Sequence, residues 1–515
     1  MRLTDEQQAI RDTRSKKVSV SAFAGTGKSS TLRALAESRP RETFLYIAYN
    51  SSVAREANDK FPANTKCTTA HGLAYAGYGH LYRSKGKLQA GGSMTAWQVL
   101  QALPEAAQSH ISEEQRPVFA RHVLESLNRF LYSSDKQIKM QHVAFRKAND
   151  PDANYDAHEI LKAARFCWRL MVDYSTRALP MTHDGYLKVF QISDPILKGD
   201  TILLDEGQDA NGSMLSIIDS QRSVRKIFVG DRHQQIYAYR GALNALDRLE
   251  GFDEYALTQS FRYGETTASL ATRILKDASN EERVIRGAPI ETEIAVAEAN
   301  LEPGKAILGR SNIGLINRAL EAIDQRIPVS FRGGLKQYDP IKLVDVYALK
   351  YGGTLRSPEL KRFRSYETLS YYAQKSGDAD ILSAIKLVDT RGRDLLRDMD
   401  RLTHAASCPR DPSNGIDFLT VHKAKGLEFD RVELSDDFSA LEGRRKSETR
   451  AVSEVPLSEI NLLYVALTRG IRRIDLPKGV RSFIQANWPT AGVGLTREEW
   501  LKTMPASAGK IPGGE

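Results

Sequence analysis

A short apolar strand, Val18-Ser-Val-Ser21, runs into Ala22-Phe-Ala-Gly-Thr-Gly-Lys-Ser29, and a helical stretch over 29–37 follows the glycines at once. No other feature of the chain constrains its fold as tightly. A glycine-rich turn between strand and helix aims backbone N–H groups and a helix N-terminus at an anion, the geometry that cradles nucleotide phosphates. Lys28 is expected to reach the outer phosphates and the Ser29 hydroxyl to sit on Mg²⁺. Ala22, Phe23, Ala24, Gly25, Thr26 and Gly27 supply the loop. The pattern departs from G-x-x-x-x-G-K-[ST] at its first position, where Ala22 replaces glycine. A flexible loop that happens to hold Gly-Lys-Ser is the alternative.

The rhythm continues. Thr43-Phe-Leu-Tyr-Ile-Ala-Tyr49 reads as a second strand and 51–61 as another helix, so a parallel sheet with crossover helices is expected. Residues 81–195 change character: helical, mixed in charge and aromatic-rich, they read as an inserted subdomain. Strands return at Thr201-Ile-Leu-Leu-Asp205 and Lys226-Ile-Phe-Val-Gly230. A further unit begins at Ala306-Ile-Leu-Gly309 and resumes at Ile416-Asp-Phe-Leu-Thr420 and Arg431-Val-Glu-Leu434. The tail, rich in Gly, Pro and small residues over 505–515, reads as disordered.

Composition narrows the setting. A net charge of +9 suits a polyanionic partner. Cys67, Cys167 and Cys408 are scattered, so no disulfide framework or zinc cluster is expected, and a reduced interior compartment fits best. The polar N-terminus lacks a secretory h-region and no apolar run is long enough to span a membrane. A soluble protein is expected, cytoplasmic (nucleoid-associated) or nuclear, without membrane partners.

Ile202-Leu-Leu-Asp205-Glu206 is a strand ending in two acids. A phosphate-loop site needs this from a second strand: one carboxylate for Mg²⁺ and one to orient or deprotonate the attacking water. Acids capping a solvated edge strand are the bland alternative. Further motifs follow in order. Leu3-Thr-Asp-Glu-Gln7 opens the chain, and Asp205-Glu-Gly-Gln-Asp209 carries the acids. Val229-Gly-Asp-Arg-His-Gln234-Gln-Ile-Tyr-Ala-Tyr239-Arg-Gly-Ala242 and Leu257-Thr-Gln-Ser-Phe261-Arg262 come next. Thr420-Val-His-Lys-Ala-Lys-Gly-Leu-Glu428-Phe and Asn461-Leu-Leu-Tyr-Val-Ala-Leu-Thr-Arg469 close the series. With the phosphate loop, this series resembles the superfamily 1 DNA helicases of the UvrD/Rep type over nearly the whole chain. Met181-Thr-His-Asp-Gly-Tyr-Leu-Lys188 makes it look most like the helicase region of the F-box DNA helicases.

The resemblance implies an α/β fold with two RecA-like P-loop domains joined at an ATP cleft. The first, 1–80 with 196–262, carries the helical insertion 81–195. The second, 263–350 with 411–490, carries a small insertion at 351–410, before a tail over 491–515. It implies ATP and Mg²⁺ as cofactors. Asp205 and Ser29 hold the metal, Glu206 is the general base, and Gln234 senses the γ-phosphate. Arg262 and Arg469 reach that phosphate. Gln7 reads the adenine, Phe261 stacks on it, and Glu428 approaches the ribose. The motifs at Tyr49, Thr69, His71, Tyr237, Tyr239, Thr420 and His422 face DNA; Tyr239 stands where UvrD-like enzymes usually carry Trp.

A basic, aromatic stretch over 356–375 (Arg356, Lys361, Arg362, Phe363, Arg364, Tyr366, Tyr371, Tyr372) reads equally as a nucleic-acid surface or a solvated amphipathic helix. The activity implied is ATP-driven 3′-to-5′ translocation on single-stranded DNA with unwinding at single/double-strand junctions, by a monomer acting in repair, recombination or replication. Two alternatives stay open: a translocase that mainly strips proteins from DNA, and a DNA-dependent nucleotide switch within a larger assembly. No F-box segment precedes Gln7, and no cluster of acids with a lysine follows Arg469. Neither a ubiquitin-ligase role nor a fused nuclease is therefore expected.

Overall fold

The computed structural model describes residues 2–89, 94–113, 115–145, 153–236, 246, 250–298, 300–357, 360–361, 363–376, 379–408, 412–441 and 450–489. Tyr237, Tyr239, Arg362 and the tail over 491–515 lie outside the described residues. The chain divides into two compact units: 1–22 with 27–257, and 23–26 with 258–515. Among the described residues each unit holds a six-stranded parallel sheet.

In the first unit, β1 (Lys17–Ala22), β2 (Phe44–Ala48), β3 (Thr65–Thr69), β4 (Thr201–Leu204), β5 (Arg225–Gly230) and β6 (Asp253–Leu257) lie in the order β3-β2-β4-β5-β1-β6. Every residue of β2 and β4 is buried, as expected of inner parallel strands covered on both faces. One face packs Val18, Val20, Tyr46 and Leu203 against Leu32 and Leu35 of the helix Lys28–Glu37. The other places Leu45, Ile47, Ile202 and Leu204 in one continuous core with Phe119, Phe130, Ile160 and Leu187. These last belong to the helices Arg116–Tyr132, Ala157–Val172 and His183–Ile192, inserted between β3 and β4. The insertion therefore shares its core with the sheet. Asp156 opens the middle helix with a full capping box, accepting from the amides of His158 and Glu159.

One buried cation joins these helices and reaches Ser213 Oγ, after β4, at 3.4 Å. Lys188 is fully buried; its ammonium donates to Ser133 O at 2.8 Å and lies 4.5 Å over the Phe130 ring. Burial pulls its pKa down to about 7. A lysine in the unfolded chain titrates near 10.4, so between about pH 7 and 10 the unfolded state binds more protons and stability rises with pH. The stability gap between the wild type and Lys188→Met should widen in the wild type's favour over that window. Its steepest slope should approach about 1.4 kcal/mol per pH unit. Urea denaturation at pH 6, 7, 8.5 and 10 checks this; parallel curves would refute it.

In the second unit, β7 (Glu293–Val296), β8 (Lys305–Gly309), β9 (Val329–Phe331), β10 (Ile416–Thr420), β11 (Phe429–Leu434) and β12 (Gly470–Leu476) lie in the order β7-β12-β11-β8-β10-β9. Helices Tyr366–Ser376, Ala379–Arg391 and Leu395–Ser407 fall between β9 and β10. Their Leu369, Ala384, Leu387 and Leu402 join Ile307, Ile316 and Phe418 in one cluster, so this insertion too shares its sheet's core. No helix among the described residues is long and apolar enough to cross a membrane.

Candidate nucleotide site

Strand register builds the acidic side of the site. Asp205 follows β4 directly, and its amide donates to Ile47 O on β2 at 3.1 Å. Glu206 then turns through φ +53°, a left-handed conformation that β-carbon sterics make uncommon outside glycine. The strained residue carries its carboxylate to Lys28: Nζ lies 2.8 Å from Oε1. Ser29 Oγ donates to Asp205 Oδ2 at 3.0 Å. Four of the predicted residues, Lys28, Ser29, Asp205 and Glu206, thus meet within the first unit.

Burial opposes the Lys28 charge, but Glu206, Asp205 and Asp231 outweigh it and hold its pKa above the ordinary lysine value. For Asp205, burial and the neighbouring Glu206 carboxylate dominate and push its pKa up, against the pull of Lys28. A buried nest with more carboxylate than ammonium favours an added cation. Hard oxygens on Ser29 and Asp205, 3.0 Å apart, suit Mg²⁺. The phosphate side fits as well. Gly25 and Gly27 take φ +74° and +76°, and the helix Lys28–Glu37 starts at Gly27 with no side-chain cap on its first amides.

Gln234, the predicted sensor, is buried and linked to the acids through hydrogen bonds. Its Nε2 donates to Asp231 Oδ2 at 2.8 Å; the Asp231 amide donates to Gln208 Oε1 at 3.0 Å; Gln208 Nε2 donates to Glu206 Oε2 at 2.5 Å. Gly230 leaves room for this relay, since a β-carbon there would sit 2.4 Å from Gln208 Oε1.

The loop residues Phe23–Thr26 group with the second unit. Phe261 N donates to Gly25 O at 2.8 Å, and a β-carbon on Gly25 would lie 2.7 Å from Arg262 Cβ. Tyr464 OH accepts from the Ala24 amide at 3.1 Å, and Thr26 Oγ1 donates to Phe23 O at 2.8 Å. Arg262 and Arg469 converge on Thr468: Arg262 Nη1 donates to its carbonyl at 3.1 Å and Arg469 Nη2 to its hydroxyl at 3.2 Å. Arg262 Nε also pairs with Glu428 Oε2 at 2.8 Å. Arg469 is buried, whereas Phe261 is 44% exposed. Ala22 is the last residue of β1. Gln7 completes the capping box of the helix Asp5–Asp12, its Oε1 accepting from Thr4 N at 3.1 Å.

The residues assigned to DNA divide between local and cross-element contacts. Thr69 and Thr420 cap short helices, accepting from Gly72 N and Lys423 N respectively. His71 Nε2 lies 3.1 Å from Asp184 Oδ1, so it meets the Met181–Lys188 motif directly. Tyr49 follows β2 at the same end as the acids, and His422 is half-buried in the short helix Val421–Ala424 after β10. In the 356–375 stretch, Phe363, Tyr366 and Tyr372 pack against the second unit's core, while Tyr371 stays 65% exposed. Tyr46, Gln208, Asp231 and Tyr464 were not singled out from sequence. The last three stand inside quoted motifs, but Tyr46 carried no signal beyond a strand.

Two parallel sheets, one sending a phosphate loop from its β1 end and an acid pair from its β4 end, define a P-loop protein with two RecA-like domains. The family described as an AAA domain matches residues 6–240, and the UvrD-like helicase C-terminal domain matches 375–474. F-box DNA helicase 1 of Gallus gallus is 32% identical over 501 residues, covering 91% of this chain and 48% of that protein. F-box DNA helicase protein 1 of Schizosaccharomyces pombe is 30% identical over 515 residues, covering 92% and 57%. A probable DNA helicase of Mycoplasma pneumoniae is 23% identical over 319 residues, covering 59% and 49%. The chain spans about half the length of the curated relatives it matches. It belongs to the UvrD-like helicases of superfamily 1.

Proposed function

We propose that this chain is an ATP-dependent motor on single-stranded DNA that unwinds duplex ahead of it, moving 3′ to 5′ in DNA repair, recombination or replication. The observation that carries the reading is the meeting of Lys28 with Glu206 and of Ser29 with Asp205, in a family whose relatives are named DNA helicases.

The chemistry follows from charge. A phosphoryl group in transfer spreads negative charge over its oxygens, so catalysis is positioning plus electrostatic stabilisation. Without nucleotide, the Lys28 ammonium is held by Glu206. With nucleotide, Lys28 exchanges that carboxylate for the outer phosphates, and Glu206 is released to accept a proton from water. Ser29 and Asp205 would hold Mg²⁺, which would supply divalent charge to the site. Arg262 and Arg469 neutralise charge on the γ-phosphate, and Phe261 and Gln7 receive the base, with Glu428 near the ribose. Gln234 reports phosphate occupancy through Asp231 and Gln208. Tyr49, Thr69, His71, Thr420 and His422 form the DNA side, joined by Tyr237 and Tyr239.

The test is ATPase rate against single-stranded DNA, duplex DNA and RNA, followed by unwinding of duplexes with 3′ or 5′ tails. Strong stimulation by single strands and preference for the 3′ tail are expected. A rate indifferent to single strands would overturn the motor reading and favour a nucleotide switch.

A further inference from the structure

Tyr46 is a fully buried tyrosine in the middle of β2, and its hydroxyl has a specific destination. Parallel pairing sets Tyr46 beside Leu203 of β4. Side chains alternate along strands, so Asp205, two residues past Leu203, returns to the same face and lies diagonally within reach of a long aromatic residue. The ring packs on Phe61 with centroids 4.7 Å apart. Its OH then donates to Asp205 Oδ2 at 2.6 Å. A phenylalanine would fill the same apolar face, so packing alone does not explain the hydroxyl.

Asp205 is held from three directions. Tyr46 and Ser29 both donate to Oδ2, and the Glu206 amide donates to Oδ1 at 2.9 Å. A carboxylate offers about four lone-pair sites, so three donors leave little rotational freedom. Ser29 differs from the other two donors, because its own oxygen is a candidate metal ligand. Tyr46 and the Glu206 amide are the fixed supports. Outer partners of this kind orient metal-binding carboxylates, and their loss typically weakens metal binding by about 10- to 100-fold.

We propose that Tyr46 is a positioning residue for the metal-binding carboxylate, setting the Mg²⁺ requirement of the nucleotide site through its hydrogen bond to Asp205. The proposal rests on the nucleotide reading above, in which Asp205 and Ser29 are the metal side. It separates two tasks: Tyr46 supports the carboxylate that holds the metal, while Gln208 supports the carboxylate that accepts the proton.

The experiment uses the full chain and a fluorescent ATP analogue, titrated with and without MgCl₂, comparing wild type with Tyr46→Phe. The MgCl₂ midpoint for tight nucleotide binding should rise about tenfold in the variant. Binding in EDTA should be unchanged, since the ring and the phosphate loop remain. An unchanged midpoint overturns the proposal. So does an equal loss in EDTA, which would mark a merely structural tyrosine. A second measurement protects against misfolding: in a Ser29→Ala background, Tyr46→Phe should raise the midpoint by less than in wild type, because both hydroxyls act on Oδ2. Strictly multiplicative effects overturn it. If wild type binds no nucleotide under any condition, the nucleotide reading itself falls, and this inference with it.

Discussion

Lys28→Ala is expected to cut ATP turnover in the presence of single-stranded DNA by about 10²- to 10³-fold, the scale on which a preorganised charge stabiliser is lost. The ammonium has two duties. With nucleotide it meets the outer phosphates; without nucleotide it neutralises Glu206 at 2.8 Å and offsets Asp205 and Asp231 nearby. Alanine therefore leaves acids repelling one another in a largely buried pocket. Breaking a buried ion pair costs about 3–5 kcal/mol, and Glu206 keeps some contact with water, so a loss of about 2–3 kcal/mol is expected. Urea denaturation measures it. The double variant Lys28→Ala/Glu206→Gln removes one of the acids and should regain much of that stability while regaining no turnover. This non-additivity is the signature of a direct pair. Near-normal turnover in Lys28→Ala would refute the site.

What could be read from the chain follows a physical divide between inner and edge strands. β1, β2, β4, β5, β8 and β10 announce themselves as largely apolar, mostly buried runs paired on both sides, while β11 shows itself through the alternation of Val432 and Leu434 with charged residues. The strands that were missed include all four edges. β3 (Thr-Lys-Cys-Thr-Thr) and β6 (Asp-Glu-Tyr-Ala-Leu) flank the first sheet; β7 and the three-residue β9 flank the second. Edge strands are kept polar or very short to discourage further pairing: β3 and β6 carry polar residues, while β7 and β9 have four and three residues, too few to read as strands. β12 was missed for another reason: although it lies inside the sheet, Arg472 and Arg473 interrupt its apolar pattern, and Arg473 is satisfied by Asp475 at 2.7 Å.

The site shows the same divide. Lys28, Ser29, Asp205 and Glu206 were legible because local spacing dictates their chemistry. Tyr46 was not, since its role depends on which strand pairs with β2 and in what register, and a sequence does not print that pairing. The local roles of Gln7 and Thr69 as caps were hidden behind their motif membership. Gln208 sat in plain view within Asp205-Glu-Gly-Gln-Asp209, but only the fold shows that its two ends join Glu206 to Asp231.

Glu206→Gln should separate binding from chemistry. The substitution keeps the shape of the side chain and removes its ability to take a proton, so turnover should fall by about 10²- to 10⁴-fold, the range of a lost general base. Nucleotide affinity should hold or tighten, because one negative charge beside the triphosphate is gone. The local hydrogen bonds set a further expectation. Gln208 Nε2 donates to Glu206 Oε2, and the Oε1 of Gln208 is already committed to Asp231. The new amide must therefore turn its oxygen toward Gln208 and its NH₂ toward Lys28, which already carries a positive charge. Without nucleotide this arrangement frustrates Lys28; with nucleotide the lysine leaves for the phosphates and the conflict disappears. The variant should thus gain more thermal stability from saturating ATP analogue than the wild type does, in proportion to any tighter affinity. Equilibrium binding, single-turnover hydrolysis and melting with and without nucleotide test the three parts together. Weakened binding with unchanged single-turnover hydrolysis would remove Glu206 from the role of base and return it to that of a structural partner for Lys28.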